Sequence, residues 1–151
     1  MKRLKLRALG AIGVALVVAV SAAAMTATEA IKQRQKAMEG VYGEMKNFAA
    51  IAKKERPFDA EVVNASAMKM AEHLSEAAQL FPEGSLEGEV QSWAKPETWT
   101  DRENFDKIME STRQAAVDMQ AVTDAKAFMP ALGKLGNGCK SCHEMYRVPK
   151  N

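Results

Sequence analysis

FMPALGKLGNGCKSCHEMYR, residues 128–147, decides how this chain is built. Phe128, Leu132, Leu135, Cys139, Cys142 and Tyr146 recur at alternating steps of four and three, which lines them along one stripe of an α-helix. The predicted helix runs from about Ala125 to Arg147, and Pro130 is expected to start its regular part or kink it. Gly133, Gly136 and Gly138 fall inside it, each costing about 1 kcal/mol relative to alanine. Such a run is out of place in a plain helix and suits a surface that a flat group must approach closely. Both cysteines of the chain are here, separated by two residues, with a histidine directly behind.

Three further segments upstream share this periodicity. The first runs from about Thr28 to Lys54, with Ile31, Met38, Met45 and Ala52 every seven residues and Arg34, Tyr42 and Ala49 beside them. Proline in ERPFD breaks it. The second runs from about Asp59, a candidate N-cap, to Leu80, with Val63, Ala67, Met70, Leu74 and Ala77 on one face. FPEGS ends it, and residues 81–99, holding Pro82, Gly84, Gly88 and Pro96, read as a long crossover. TDRE opens the third, where Thr100 and Glu103 have the spacing of a capping box. Its expected buried stripe is Phe105, Ile108, Thr112, Ala115, Met119 and Val122. No alternating β-branched run is present. The sequence predicts an all-α domain, an antiparallel four-helix bundle.

The amino terminus is of a different kind. MKRLKLR carries four positive charges, an uncharged apolar run follows, and Ala22 and Ala24 fit a small-residue cleavage site. Residues 1–24 therefore read as a secretory signal peptide, and 25–151 as one exported domain; an uncleaved anchor is the competing reading, against which the run is short for a span. The precursor has a formal charge of +2, but removing residues 1–24 takes away four of 21 lysines and arginines and none of 19 acids. The remainder, 17 against 19, has a net charge of −2, which gives nucleic-acid binding no electrostatic support. After cleavage no membrane segment is expected.

Cys139-Lys140-Ser141-Cys142-His143 is C-x-x-C-H, the spacing of c-type haem attachment. Each thiol forms a thioether with one haem vinyl group, a three-residue offset on a helix roughly spans the two vinyls, and the adjacent imidazole reaches the iron from the same side. Other readings account for less. A thioredoxin-like C-x-x-C wants a βαβ setting. Structural zinc needs four ligands, and the only other histidine is His73, which reads as a flank residue. A disulfide across so small a loop constrains the unfolded chain little. Export alone would make the cysteine pair a disulfide candidate, but it also fits haem, since bacterial c-type haem is attached outside the cytoplasm.

With these residues in place, the chain resembles the class II cytochromes c, the cytochrome c′ family. C-x-x-C-H lies close to the carboxy terminus, and RQKAM, IAKKERPFD, LFPEGS and PETWTDRENFD match as well, so the resemblance covers residues 28–148. It implies a four-helix bundle with one haem c held covalently by Cys139 and Cys142 of the carboxy-terminal helix, and His143 as an axial ligand. It further implies that Met38 faces the other side of the iron, that Arg34 lies near the haem propionates, and that Arg147 lies on the proximal side.

The resemblance divides on the sixth coordination position. High-spin members leave it empty and bind nitric oxide or carbon monoxide; low-spin members put a methionine sulfur there and carry electrons. The first helix and IAKKERPFD look more like the low-spin members. Met38 has two readings, an iron ligand or a gap-filling core methionine. Tyr42 is a candidate for lining that pocket, and Trp99 and Phe105 for walling the haem, although both would be core residues in any bundle. The expected protein is a periplasmic monohaem electron carrier, not an enzyme, since no acid–base pair is apparent beside the haem. Its partners are redox proteins, with a homodimer and a small gas ligand as further possibilities.

Overall fold

A computed structural model describes residues 25–149. The signal-like segment 1–24 and the last two residues lie outside the described range. The elements are α1 (Ala27–Ala52), α2 (Ala60–Ala78), a single turn α3 (Glu97–Thr100), α4 (Arg102–Met119) and α5 (Ala125–Tyr146). Packing pairs run in opposite directions along neighbouring helices. Asn47 meets Ser66 while the His73 ring lies over Gly40, and Asp118 meets Lys134 while Met109 meets Cys142. The four long helices thus form the antiparallel bundle that the sequence predicts. No described helix is long and apolar enough to cross a membrane.

Local chemistry sets the helix ends. Asp59 caps α2 by accepting from the Glu61 and Val62 amides, and Asp124 does the same for α5 through Lys126 and Ala127. The expected capping box at Thr100 and Glu103 does not form, because Pro96 starts α3 and draws Thr100 into that turn. Glu103 bonds Lys107 instead, at 2.6 Å. A true capping box stands at the start of α1, where Thr26 and Glu29 satisfy each other's amides. Past the end of α1, Lys54 takes a left-handed φ of 62°, a role usually left to glycine. Pro130 lies within α5 and leaves it continuous, near enough to the start to cost a single backbone bond.

The core has two parts. One, at the end of the bundle holding the α1–α2 turn, is built on Phe48, Val63, Met70, Met119, Phe128 and Leu135, with Phe58 and Phe128 rings 5.9 Å apart. The other, at the crossover end, is built on Ala37, Leu80, Phe105, Met109 and Tyr146. The α2 stripe is buried as predicted; on α1 Ile31 and Arg34 of the expected stripe are buried, and beyond them burial shifts to the neighbouring positions. Ala37, Val41 and Phe48 point inward, Met38, Met45 and Ala52 are partly buried, and Tyr42 is 64% exposed beneath Lys46. Val41 and Phe48, which the heptad reading passed over, take the inward positions.

The crossover is braced at both ends. On α1 it receives Arg34, the Gln35 side chain (to Gln91 O, 2.7 Å) and Thr28, whose hydroxyl accepts from the Glu89 amide at 3.0 Å. A turn closed by Ser85 N–H to Pro82 O needs the positive φ of Gly84, 77°. Beyond it, Ala94 and Arg147 form an antiparallel bridge, and Val148 N–H donates to Trp93 O.

Candidate haem site

The end of α5 is fixed from two sides. Its terminal carbonyls are met by the crossover: Lys95 N–H donates to Tyr146 O at 2.9 Å, and Lys95 Nζ donates to Glu144 O at 2.8 Å. A cation here also suits the negative end of the helix dipole. On the other side the Tyr146 hydroxyl donates to Asp101 at 2.6 Å and accepts from Asn104 at 2.7 Å, while its ring stands edge-on to Phe105. Asn104 Nδ2 also donates to Asp101, at 3.1 Å, and the hydrogen bonds that this carboxyl accepts, from Tyr146 first and Asn104 second, hold it below the usual carboxylate range. Gly138 lets α5 come close to α4, since a Cβ there would sit 2.6 Å from Thr112 Oγ1.

On this fixed helix Cys139 and Cys142 are free thiols, both partly buried. Burial raises both thiol pKa values. Cys142 is pushed up to about 11, by burial first and by Cys139 second. Met109 Sδ lies 3.9 Å from Cys142 Sγ, a neighbour that the sequence stripe missed because it runs through Ile108. His143 is exposed at a groove lined by Lys95, Lys140, Glu144, Arg147, Val148 and Pro149. Surrounding protein atoms and then the Arg147 charge lower its imidazole pKa, so the neutral, metal-binding form is favoured.

Met38 is the one α1 side chain that packs against both parts of the core, the part that holds Cys139 and the part that holds Cys142. Helix packing explains why it sits there. α1 lies on α2, α2 on α4 and α4 on α5, but α1 and α5 share no extended backbone contact. Along this seam Met38, Met45 and Ala52 of α1 and Ala131, Leu132 and Cys139 of α5, all partly buried, pack against the same core cluster. Gly136 is on the helix face of Cys139 and His143, and a Cβ there would meet nothing within 4 Å.

Arg34 is 5% exposed and bound to the crossover: Nη2 donates to Ser85 O (2.6 Å) and Ser92 Oγ (3.0 Å), and Nη1 to Leu80 O and Ser85 Oγ at 3.4 and 3.3 Å. Its guanidinium lies over Phe81 and Trp99, 4.9 and 5.7 Å from the ring centroids. Trp99 is partly buried and donates to Pro82 O. His73 is half-exposed, 3.9 Å from Glu76, and belongs to the flank of α2.

Two free thiols three residues apart, a neutral-leaning imidazole on the next residue, two helices without extended backbone contact and a glycine with space above it fit a haem held through thioethers. The cytochrome C′ family model matches residues 29–147. Cytochrome c-554 of Cereibacter sphaeroides is 35% identical over 127 residues, 77% of this chain and 96% of that protein. In three dimensions the fold matches cytochrome c′ from Rhodopseudomonas palustris with a TM-score of 0.76 and 30% identity, over 81% of this chain and 98% of that one. It also matches the nitric oxide complex of the L16V mutant of cytochrome c prime from Alcaligenes xylosoxidans, with a TM-score of 0.73 and 26% identity over 82% and 98%. The chain belongs to the cytochrome c′ family, whose members carry a single, covalently attached haem c.

Proposed function

We propose that this cytochrome is a periplasmic carrier of single electrons, with His143 and Met38 as the two axial ligands of its iron, and that it catalyses no reaction of a substrate. The observation that carries the reading is the place of Met38, on the α1 wall of the seam and packed against both regions that hold the cysteines. A thioether is a soft ligand that favours reduced iron and raises the potential. When bound, the haem supplies one-electron exchange at its iron. The chain's own residues do the rest. Cys139 and Cys142 hold the group, His143 presents a neutral nitrogen, and the crossover and Tyr146 keep the last turn of α5 from shifting between redox states.

The oxidised holoprotein is expected to show a low-spin spectrum with the methionine–sulfur charge-transfer band, and Met38→Ala to turn it high-spin. A high-spin wild-type spectrum, or a low-spin spectrum unchanged in Met38→Ala, refutes the ligation. The second reading is a five-coordinate, gas-binding protein, favoured by the nitric oxide complex of the Alcaligenes xylosoxidans relative. Under it the reduced protein binds carbon monoxide rapidly without displacing a ligand. Arg34 is proposed, as its place near the propionates by resemblance implies, to reach the cofactor from the crossover side.

A further inference from the structure

We propose that the carboxy-terminal end of α5 is the docking face for an acidic redox protein, an inference that rests on the electron-carrier reading. The charge of this chain is segregated. Residues 125–151 carry five lysines and arginines and one acid, whereas residues 25–124 carry 12 against 18, a balance of +4 against −6. The fold gathers part of this excess around the site. Lys140 from α5 and Arg147 just past its end line a groove of about 510 Å³ together with His143 and with Lys95 from the crossover, and Glu144 is its one carboxylate. That carboxylate already faces Lys140 at 3.7 Å in an exposed pair.

Cations at a helix end have an ordinary use in offsetting the helix dipole, and Lys95 serves it. Lys140 does not, because it stands before the last turn with its side chain 71% exposed. A protein of net negative charge that turns a positive groove outward at its iron-ligating histidine is a dipole. Its field orients an acidic partner with the groove foremost, which shortens the electron's path and raises the encounter rate.

The test uses the reduced holoprotein mixed in stopped flow with ferricyanide, a trianionic one-electron oxidant; the protein loses one electron and ferrocyanide forms. Exit through the groove makes the rate fall as salt rises from about 10 to about 200 mM, although the whole chain is negative. Lys95→Glu with Lys140→Glu should lower the low-salt rate on the order of tenfold and flatten the salt dependence. The same charge change at the opposite end of the bundle, Lys53→Glu with Lys126→Glu, should shift it by less than about twofold. Lys140→Glu alone, which leaves the Lys95 cap intact, guards against a local folding defect.

Polyglutamate should slow the wild type and spare the groove variant. A wild-type rate that rises with salt, or equal losses in the two double variants, overturns the proposal. So does groove-dependent binding to phosphatidylglycerol vesicles with polyglutamate inert, which would give this face to a lipid surface. The absorption spectrum of the same sample reads iron ligation separately. A high-spin result removes the Met38 reading while the salt slope still tests the face.

Discussion

Replacing Arg34 by alanine tests the brace between α1 and the crossover. Two of its four hydrogen bonds are short, those to Ser85 O and Ser92 Oγ at 2.6 and 3.0 Å, and two are near the outer limit at 3.3 and 3.4 Å. Bonds from a charged donor contribute about 1.5–3 kcal/mol each, so the short pair is worth about 3–6 kcal/mol before offsets. Stacking on Phe81 and Trp99 adds about 0.5–1 kcal/mol per ring. Against this stands the cost of burying the charge, which lowers the guanidinium pKa to about 10. Water entering the vacated space also re-satisfies some of the freed acceptors.

The net expectation is a loss of about 3 kcal/mol, or a fall of about 10 °C in Tm for a domain of this size. Urea unfolding of the holoprotein measures it, and amide exchange over residues 85–95 locates it. Arg34→Lys should recover little, since a point charge cannot serve acceptors on both sides of the fork. A loss below about 1 kcal/mol, or full rescue by lysine, would refute the brace.

Other consequences are as direct. In Gly138→Ala the helix gains about 1 kcal/mol in propensity, but the new methyl meets a buried Thr112 whose Oγ1 is held by Ile108 O at 2.7 Å. The variant should lose up to about 2 kcal/mol and recover in a Thr112→Ala background; additive effects in the double-mutant cycle would remove the clash. Asp101, its pKa lowered by Tyr146 and then Asn104, adds stability that is full above the ordinary carboxylate pKa of 3.8 and fades as pH falls through its lowered value. Acid unfolding of Tyr146→Phe should lack the Tyr146 share of this dependence, and a curve parallel to wild type would contradict it. In haem-free folded protein at pH 8, about one Cys142 in a thousand is thiolate, against about one in ten for a thiol at 9.0. Iodoacetamide should therefore modify Cys142 slowly until denaturant is added, and fast labelling of the folded form would count against its burial.

Where side-chain period determines the outcome, the sequence is enough. Val63, Ala67, Met70, Leu74 and Ala77 are buried as their spacing predicts, and C-x-x-C-H names its chemistry by itself. On α1 the same spacing finds Ile31 and Arg34, which are buried, but misses part of the core because the helix has two apolar stripes. One, through Ala37, Val41 and Phe48, enters the core; the other, through Met38 and Met45, faces the seam. A heptad count cannot tell a core from a cofactor wall, since both want apolar residues. The capping box was misplaced for a related reason. Thr-x-x-Glu occurs at both Thr26 and Thr100, and only the turn begun at Pro96 separates them. Arg34, Lys95 and Tyr146 act through partners 46–58, 49 and 45 residues away along the chain, and no local pattern encodes such pairings.

Those three long-range contacts answer one mechanical problem. A four-helix bundle ordinarily closes on itself, but a bundle that admits a flat group between α1 and α5 gives up the backbone packing that would hold those two helices in register. Each of them carries one proposed iron ligand, so their spacing fixes whether the sulfur of Met38 reaches the position opposite His143. The crossover supplies the missing connection from outside the seam. Arg34 anchors it one turn before Met38, and Lys95 ties it to the turn that carries His143. Loosening either anchor should thus change iron ligation without touching iron. In Arg34→Ala a growing high-spin fraction should accompany the loss of stability if Met38 is the ligand, whereas Gly138→Ala, which displaces α5 from α4, should disturb the cysteine side instead. If Arg34→Ala lost stability with its spectrum unchanged, the crossover would be a brace for the fold alone, and the α1–α5 spacing would have to be set by the haem's own thioether bonds.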